Sequence, residues 1–330
     1  MSGLRLIDGF DGVLADLDGV VYTGPRAIEG AIDALYRLAG ESKSLAYVTN
    51  NASRSSEEVA AHLRELGAPA TAEQVFGSAL AGAELLAGEV APGSTVLVVG
   101  SEVLAESVRS QGLVVVSPSE QRPDAVIQGF SPALGWKDLA EAAFAITAGA
   151  TWVATNLDMT LPQERGFAPG NGSLVAAVAA ATGKSPLVAG KPEAALFETA
   201  ARHSSVNRAL VVGDRLDTDI LGGNRAGMVT VLVLTGVDSV QTALAARVDE
   251  RPNYLIRSLG ELYEVYPAVT ADGGLYSCGD AVARVSGLTV NISGREEDLN
   301  SWRAACAAWW ATYPDTTPDA APEIVFTTPG

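Results

Sequence analysis

A chain of 330 residues with a net charge of −17 is repelled by nucleic acid and by anionic membranes, which excludes both as its main partner. At 48% hydrophobic and 18% charged it has a globular composition, and its two cysteines, Cys278 and Cys306, provide no disulfide framework. No stretch approaches the roughly 18 apolar residues of a membrane span, and the opening MSGLRLIDGF lacks an apolar signal region, so a cytoplasmic location is expected.

In chain order, GVLAD at 12–16 predicts a buried strand that ends in Asp16, with Asp18 two positions on. Between Glu29 and Leu38 the apolar Ile32, Leu35 and Leu38 share one helical face, and Gly40 is a stop. SLAYVTN predicts a strand ending in Thr49 and Asn50. SSEEVAAHLRELG then opens with Ser55 three residues before Glu58, a capping box, and closes at Gly67. STVLVVG, DAVIQGF and TWVATN read as further strands. PLVAG runs into Lys191, and KPEAALFETAARH reads as a helix with Pro192 in its first turn. ALVVG runs into Asp214 and is followed by the strand candidate VTVLVLTG.

Strands alternating with helices at this spacing predict an α/β fold with a doubly wound, mostly parallel sheet. Its ligands are expected at the carboxyl ends of the strands. The block from Gly82 to Pro186 has its own strands and helices and reads as an inserted domain. From about Ala268 the composition changes again. AVARVSGLTVNIS looks strand-like, and EEDLNSWRAACAAWW places Trp302, Cys306, Trp309 and Trp310 at helical spacing as a packing face. The expected organisation is a core from 1–82 and 188–265, an inserted α/β domain at 83–187, and a small α/β appendage at 266–330.

The candidate chemistry starts from Asp16 and Asp18. Residues two apart on an extended segment point the same way, so both carboxylates can face one pocket, where they require a cation or a raised pKa. A metal held partly by Asp214, together with Lys191, could supply that charge. Two carboxylates, a metal, a lysine and the Thr49 hydroxyl suit a phosphate group: one aspartate attacks phosphorus while the other transfers protons. An EF-hand is excluded by Val20 and Ala27 at the fifth and twelfth loop positions. VLVVGSEVLAES and LVVGDRLDTD lack the remaining glycines of a dinucleotide fingerprint. His62 and His203 read as solvated helix residues.

DLDGV at Asp16, TNN at Thr49, GKP at Lys191 and GDRLDTDI at Asp214 resemble, in order, the four motifs of the haloacid dehalogenase superfamily. The separations of 33, 142 and 23 residues are similar to those of its NagD, p-nitrophenyl phosphatase and phosphoglycolate phosphatase branch, which carries a large cap between the second and third motifs. ATNLDMTLPQERGFAPGNGSL resembles the loop that closes that cap. The resemblance implies a Rossmann-like core with a C2-type cap and Mg2+ as cofactor. It also implies a phosphatase that works through an aspartyl-phosphate.

Residue by residue, it implies Asp16 as nucleophile and metal ligand. Asp18 would be the general acid and base, its backbone carbonyl also meeting the metal. Thr49, Asn50, Asn51 and Lys191 would bind phosphate, Asp214 would complete the Mg2+ site, and Asp219 would orient it. An acid at Asp18 separates ester hydrolysis from the dehalogenase and ion-pump branches. A phospho-acceptor signalling module uses similar residues but has no room for about 100 residues between Thr49 and Lys191. An idle scaffold is disfavoured by the complete set of charged residues.

The inserted domain would choose the leaving group. Its basic residues, Arg109, Arg122, Lys137, Arg165 and Lys184, are few, which disfavours a multiply phosphorylated substrate. Within the branch the residue before the proline of DMTLP faces the active site. Here it is Leu161, as in the glycerol-3-phosphate and phosphoglycolate type, whereas the pyridoxal phosphatase type has histidine. Glycerol 3-phosphate is the expected substrate and 2-phosphoglycolate the alternative, ahead of pyridoxal 5′-phosphate or a nucleotide. Asp158 could bind a hydroxyl or cap its loop. A homodimer is the expected assembly.

Overall fold

A computed structural model describes residues 4–117, 122–163, 165–318 and 320–327. All eight predicted strands form. The chain divides into two compact units, one of residues 1–45, 66–69 and 205–330, the other of residues 46–65 and 70–204.

The first unit holds parallel strands in the spatial order Tyr254–Ile256, Val229–Val233, Ala209–Gly213, Gly12–Ala15. Gly12–Ala15 and Ala209–Gly213 are buried at every position, as expected of strands covered on both faces. The register pairs Ala15 with Val212, and the Asp16 N–H donates to the Val212 carbonyl at 2.9 Å. Asp16 and Asp214 therefore leave neighbouring strand ends. The helix Ala31–Gly40 buries Ala31, Ala34, Leu35 and Leu38 and leaves Ile32 only half-buried, so its inner face is turned slightly from the one predicted.

The C-terminal segment is α/β, as its sequence suggests, but contains more strand than the sequence shows. Val269–Asp272, Leu275–Cys278, Ala281–Ser286 and Thr289–Ser293 form an antiparallel meander, and Glu323–Thr327 adds a parallel strand at its edge. The helix Leu299–Thr312 packs on it. Trp302, Cys306 and Trp309 are buried among Ala283, Val290 and Ile292, and the same apolar cluster contains Leu216, Leu232, Leu244 and Leu255. The segment shares one core with the parallel strands. Arg303 reinforces that join: 8% exposed, it donates to the Leu255 carbonyl at 2.8 Å, to Glu261 at 3.0 Å and to Asn300 at 2.9 Å, and lies over the Tyr266 ring.

The second unit has its own parallel sheet, ordered Leu187–Val188, Thr151–Ala154, Ala125–Gln128, Thr95–Val99, Val114–Val115. Alternation along its strands sorts two cores. Val96, Ile127 and Val153 face the helices Ser78–Glu89 and Glu102–Ser110, with Ala83, Leu86, Leu104 and Val108. Leu97, Val126 and Trp152 face the helices Trp136–Thr147 and Asn171–Thr182, with Ala142, Ile146, Val175 and Val178. The strands Ser44–Thr49 and Val75–Gly77 are paired in parallel by residues 47–49 and 75–77.

The helix Ser56–Glu65 opens with the predicted capping box. The Ser55 N–H donates to Glu58 at 2.7 Å, and the Glu58 N–H returns to the Ser55 hydroxyl at 3.2 Å. One local expectation fails. Pro192 lies in a turn, and the helix begins only at Ala195, because residues 191–194 carry the bend that seats Lys191. His203 is exposed, as expected, and its Nε2 sits 2.6 Å from Glu84. Thr199 and Arg202 also donate to Glu84, tying the helix Ala195–His203 to Ser78–Glu89. No helix among the described residues is long and apolar enough to cross a membrane.

Two stability predictions follow from these contacts. Arg303→Met should cost about 3 kcal/mol in urea unfolding, because it strands Glu261 and the Leu255 carbonyl in a largely buried setting. Burial alone would raise the Glu84 pKa, but hydrogen bonds from His203 and Thr199 and the nearby Arg202 charge outweigh it and hold it below the usual carboxylate value. A lowered folded-state pKa contributes stability that is present above 4.5 and lost as pH falls through the folded value. Glu84→Gln should therefore melt lower than wild type at pH 7, the gap closing as pH drops below 4.5.

Candidate active site

Within the first unit, the turn after Gly12–Ala15 sets Asp16 and Asp18. The Val21 and Gly19 N–H groups close it onto the Leu17 and Tyr22 carbonyls at 2.9 and 2.8 Å. Asp16 is half-buried and Asp18 exposed, with the Tyr22 hydroxyl 3.4 Å from the Asp18 carboxylate. Asp214 follows Ala209–Gly213 and is 2% exposed; Asp219, in the π-helical turn Leu216–Ile220, is 1% exposed. One carboxylate oxygen from each of Asp16, Asp214 and Asp219 lies within 4.8 Å of the others.

Three close backbone approaches build this cluster. A Cβ on Gly19 or on Gly236 would collide with the Asp214 carboxylate, and one on Gly213 would collide with Asp219. Gly19 in addition has φ +80°, a conformation that side chains disfavour. The Val237 N–H donates to Asp214 Oδ2 at 2.7 Å, and the Arg215 N–H to Asp219 Oδ2 at 3.2 Å. The Arg215 guanidinium is turned onto Asp217 at 3.0 Å. That bond, working against burial, and the fields of Asp217, Asp219 and Asp214 raise its pKa above the ordinary value.

Carboxylates gathered this closely repel one another unless a cation or a proton intervenes. Three hard oxygen donors converging on one point, with glycine on the surrounding backbone, fit a small divalent cation such as Mg2+. Asp16, Asp214 and Asp219 could each offer it one carboxylate oxygen.

The second unit brings together a different set. Asn50 acts as a bracket: its Oδ1 accepts the Lys191 N–H at 2.7 Å, and its Nδ2 donates to the Lys191 carbonyl at 3.1 Å and to Asp158 at 3.2 Å. The Asn50 carbonyl in turn accepts from Ser78 Oγ at 2.6 Å and from Asn156 Nδ2 at 2.8 Å. Gly190 lets the chain pass, since a Cβ there would meet the Thr155 carbonyl and the Asn50 side chain. Lys191 is held 6% exposed. Thr49 Oγ1 accepts the Asn51 N–H at 3.2 Å, while Asn51 Oδ1 accepts from the Ser53 and Arg54 N–H groups at 2.8 and 3.1 Å. Asn50 and Asn51 thus shape the loop with the polar atoms that sequence reasoning directs at phosphate.

Leu161 is half-buried in the hairpin of Thr160–Gln163 and Gly166–Pro169, opposite Ala168. The sequence reading missed Ser78, Asn156 and Gly190. It also passed over Thr235, Gly236 and Val237, which it took as the end of a strand or the loop after it. That strand stops at Val233, and the one available signal was the Thr-Gly pair after it.

Residues 13–114 match the family described as haloacid dehalogenase-like hydrolase, and residues 188–262 match a second described as HAD-hydrolase-like. The chain is 48% identical over 305 residues to D-glycerol 3-phosphate phosphatase of Mycobacterium tuberculosis, covering 91% of this chain and 86% of that one. It is 41% identical to mouse chronophin, covering 77% and 92%. Crystal structures of the M. tuberculosis glycerol phosphate phosphatase with calcium and with magnesium superpose with TM-scores of 0.89 and 0.88 at 45% identity. They cover 98% of this chain and 94% or 95% of theirs. Coverage that complete takes in the C-terminal segment, which the sequence motifs leave without a counterpart. With the four motifs in order on an α/β fold and this identity over nearly its whole length, the chain belongs to the haloacid dehalogenase-like hydrolases.

Proposed function

We propose that the protein is a Mg2+-dependent phosphatase that hydrolyses glycerol 3-phosphate to glycerol and phosphate. The observation that carries this reading is the convergence of Asp16 and Asp214, at neighbouring strand ends, with Asp219 from the turn Leu216–Ile220, and Asp18 two residues beyond the first. The glycerol phosphate specificity is supported by the name of the 48% identical relative. Asp16 is the nucleophile. Its carboxylate oxygen bonds to phosphorus as the bond from phosphorus to the alcohol oxygen breaks, and Asp18 protonates that oxygen. Asp18, then ionised, takes a proton from water as the water attacks the aspartyl-phosphate, which releases phosphate and restores Asp16.

Lys191 binds the phosphoryl group through its charge and Thr49 through its hydroxyl, while Asn51 shapes the loop beside them and Asn50 acts as the bracket that holds Lys191. Mg2+, when bound by Asp16, Asp214 and the Asp18 carbonyl, supplies positive charge that offsets these carboxylates and the transferring oxygens. Residues 1–82 and 188–265 form the catalytic core and 83–187 the cap that selects substrate, a division supported by the separate parallel sheet of residues 95–188. Residues 266–330 are an added segment built onto that core. The protein works in the cytoplasm, as a homodimer, on a free small phosphate monoester and not on nucleic acid. The charge of −17 and the two buried thiols support that setting.

The decisive assay measures phosphate release from glycerol 3-phosphate, 2-phosphoglycolate, pyridoxal 5′-phosphate and a nucleoside monophosphate, with Mg2+ and with EDTA. Glycerol 3-phosphate should rank first, and turnover should vanish in EDTA and in Asp16→Asn. Residual turnover by Asp16→Asn at the wild-type rate would remove the nucleophile assignment. For specificity, Leu161→His should move the kcat/KM ratio toward pyridoxal 5′-phosphate by about tenfold, the scale of a single pocket contact. An unchanged profile would separate Leu161 from substrate choice.

A further inference from the structure

We infer that Thr235 is a positioning residue for the cation-binding carboxylates, acting across the two turns that carry them. The inference rests on the reading of Asp16 and Asp214 as cation ligands given above. Residues 235–238 follow the strand Val229–Val233, and each of the four engages one of those turns. Thr235 donates its hydroxyl to the Gly19 carbonyl at 2.6 Å, in the turn that follows Asp16 and Asp18. Gly236 lies against the Asp214 carboxylate with no room for a Cβ. The Val237 N–H donates to Asp214 Oδ2 at 2.7 Å. The Asp238 N–H donates to the Asp214 carbonyl at 3.0 Å, and the Asp238 carboxylate accepts the Leu216 N–H at 2.7 Å.

Three of these four residues hold Asp214 and the turn after it. Thr235 alone of the four reaches the other turn, so its hydroxyl links the two halves of the carboxylate cluster. Gly19 also packs directly on Asp214, so any shift of its carbonyl changes how the Asp16–Asp18 turn meets Asp214. Repulsion between the carboxylates favours their separation when no cation is bound. A short hydroxyl-to-carbonyl bond that opposes that separation preorganises the ligands. Its loss should therefore weaken cation binding more than it weakens the fold.

The test uses the full chain without substrate. Mg2+ affinity is measured by calorimetric titration of wild type, Thr235→Val, Thr235→Ala and Thr235→Ser, and melting temperature is measured in EDTA. Thr235→Val keeps the shape and removes the donor, and Thr235→Ala serves if the valine variant does not fold. Each should bind Mg2+ about tenfold more weakly, the scale seen when a partner of a ligating residue is removed. Thr235→Ser should restore affinity to within about twofold because the hydroxyl remains. Wild-type affinity in the valine or alanine variant overturns the proposal. So does a fall in EDTA melting temperature large enough to account for the loss, or failure of serine to rescue. Wild-type protein that binds Mg2+ yet releases no phosphate from any ester would sink the phosphatase reading and leave this one standing. Absence of Mg2+ binding by wild type would overturn both.

Discussion

Repulsion among carboxylates is the constraint that organises the first unit. Asp214 and Asp219 are nearly inaccessible to water, and with Asp16 they crowd oxygens within 4.8 Å. Burying like charges this closely costs several kcal/mol per ion unless positive charge or donors meet them. Backbone N–H groups meet part of that demand. Val237 donates to Asp214 and Arg215 to Asp219 through their backbone N–H groups, while the Arg215 guanidinium is turned onto Asp217.

Glycine is what lets backbone approach so near. Gly19, Gly213 and Gly236 lie where any Cβ would strike an aspartate, and Gly190 does the same for the loop that carries Lys191. Gly213 ends a strand and Gly19, Gly190 and Gly236 lie two to four residues beyond one, where a tight turn and a functional side chain compete for the same space. In the second unit the corresponding task falls to an amide. Asn50 has both a donor and an acceptor, so a single side chain holds the N–H and the carbonyl of Lys191 at once. An aspartate or leucine there would satisfy at most one of the two.

The C-terminal segment shows how an added element can become part of the main core. Its helix Leu299–Thr312 turns Trp302, Cys306 and Trp309 inward. The cluster they enter includes Leu232, from the strand that leads to residues 235–238, and Leu244, from the short helix just after them. Trp310 adds a hydrogen bond to the Leu244 carbonyl at 3.3 Å. The loop that holds Asp214 is thus bounded on both sides by residues packed against the segment. Burial in this environment also raises the Cys306 thiol pKa well above its ordinary value and leaves the thiol unreactive.

Much of the fold is legible in the sequence because it depends on local pattern. Apolar runs such as ALVV at 209–212, closed by Gly213, read as strands covered on both faces, and Ser55 with Glu58 marks a helix start through contacts three residues apart. The order of the four motifs makes Asp16, Asp18, Thr49, Lys191 and Asp214 visible, since each sits just past an apolar run. The hairpin at 269–278 carries a local signal, Gly273 and Gly274 between its strands, that pattern reading passed over, whereas the strand Glu323–Thr327 escapes such reading because it is short and its pairing is decided by a distant neighbour.

The sequence by itself therefore determined the strand–helix alternation and the identity of the charged residues. Only the tertiary structure decided that Thr235 meets Gly19, 216 positions earlier, that Asn50 grips Lys191, 141 positions later, and that a Trp-rich helix shares a core with the parallel strands. Those contacts arise from chain segments that carry no local signal of one another. Hydrogen-bond geometry and close packing select them only once the sheets have brought their ends together.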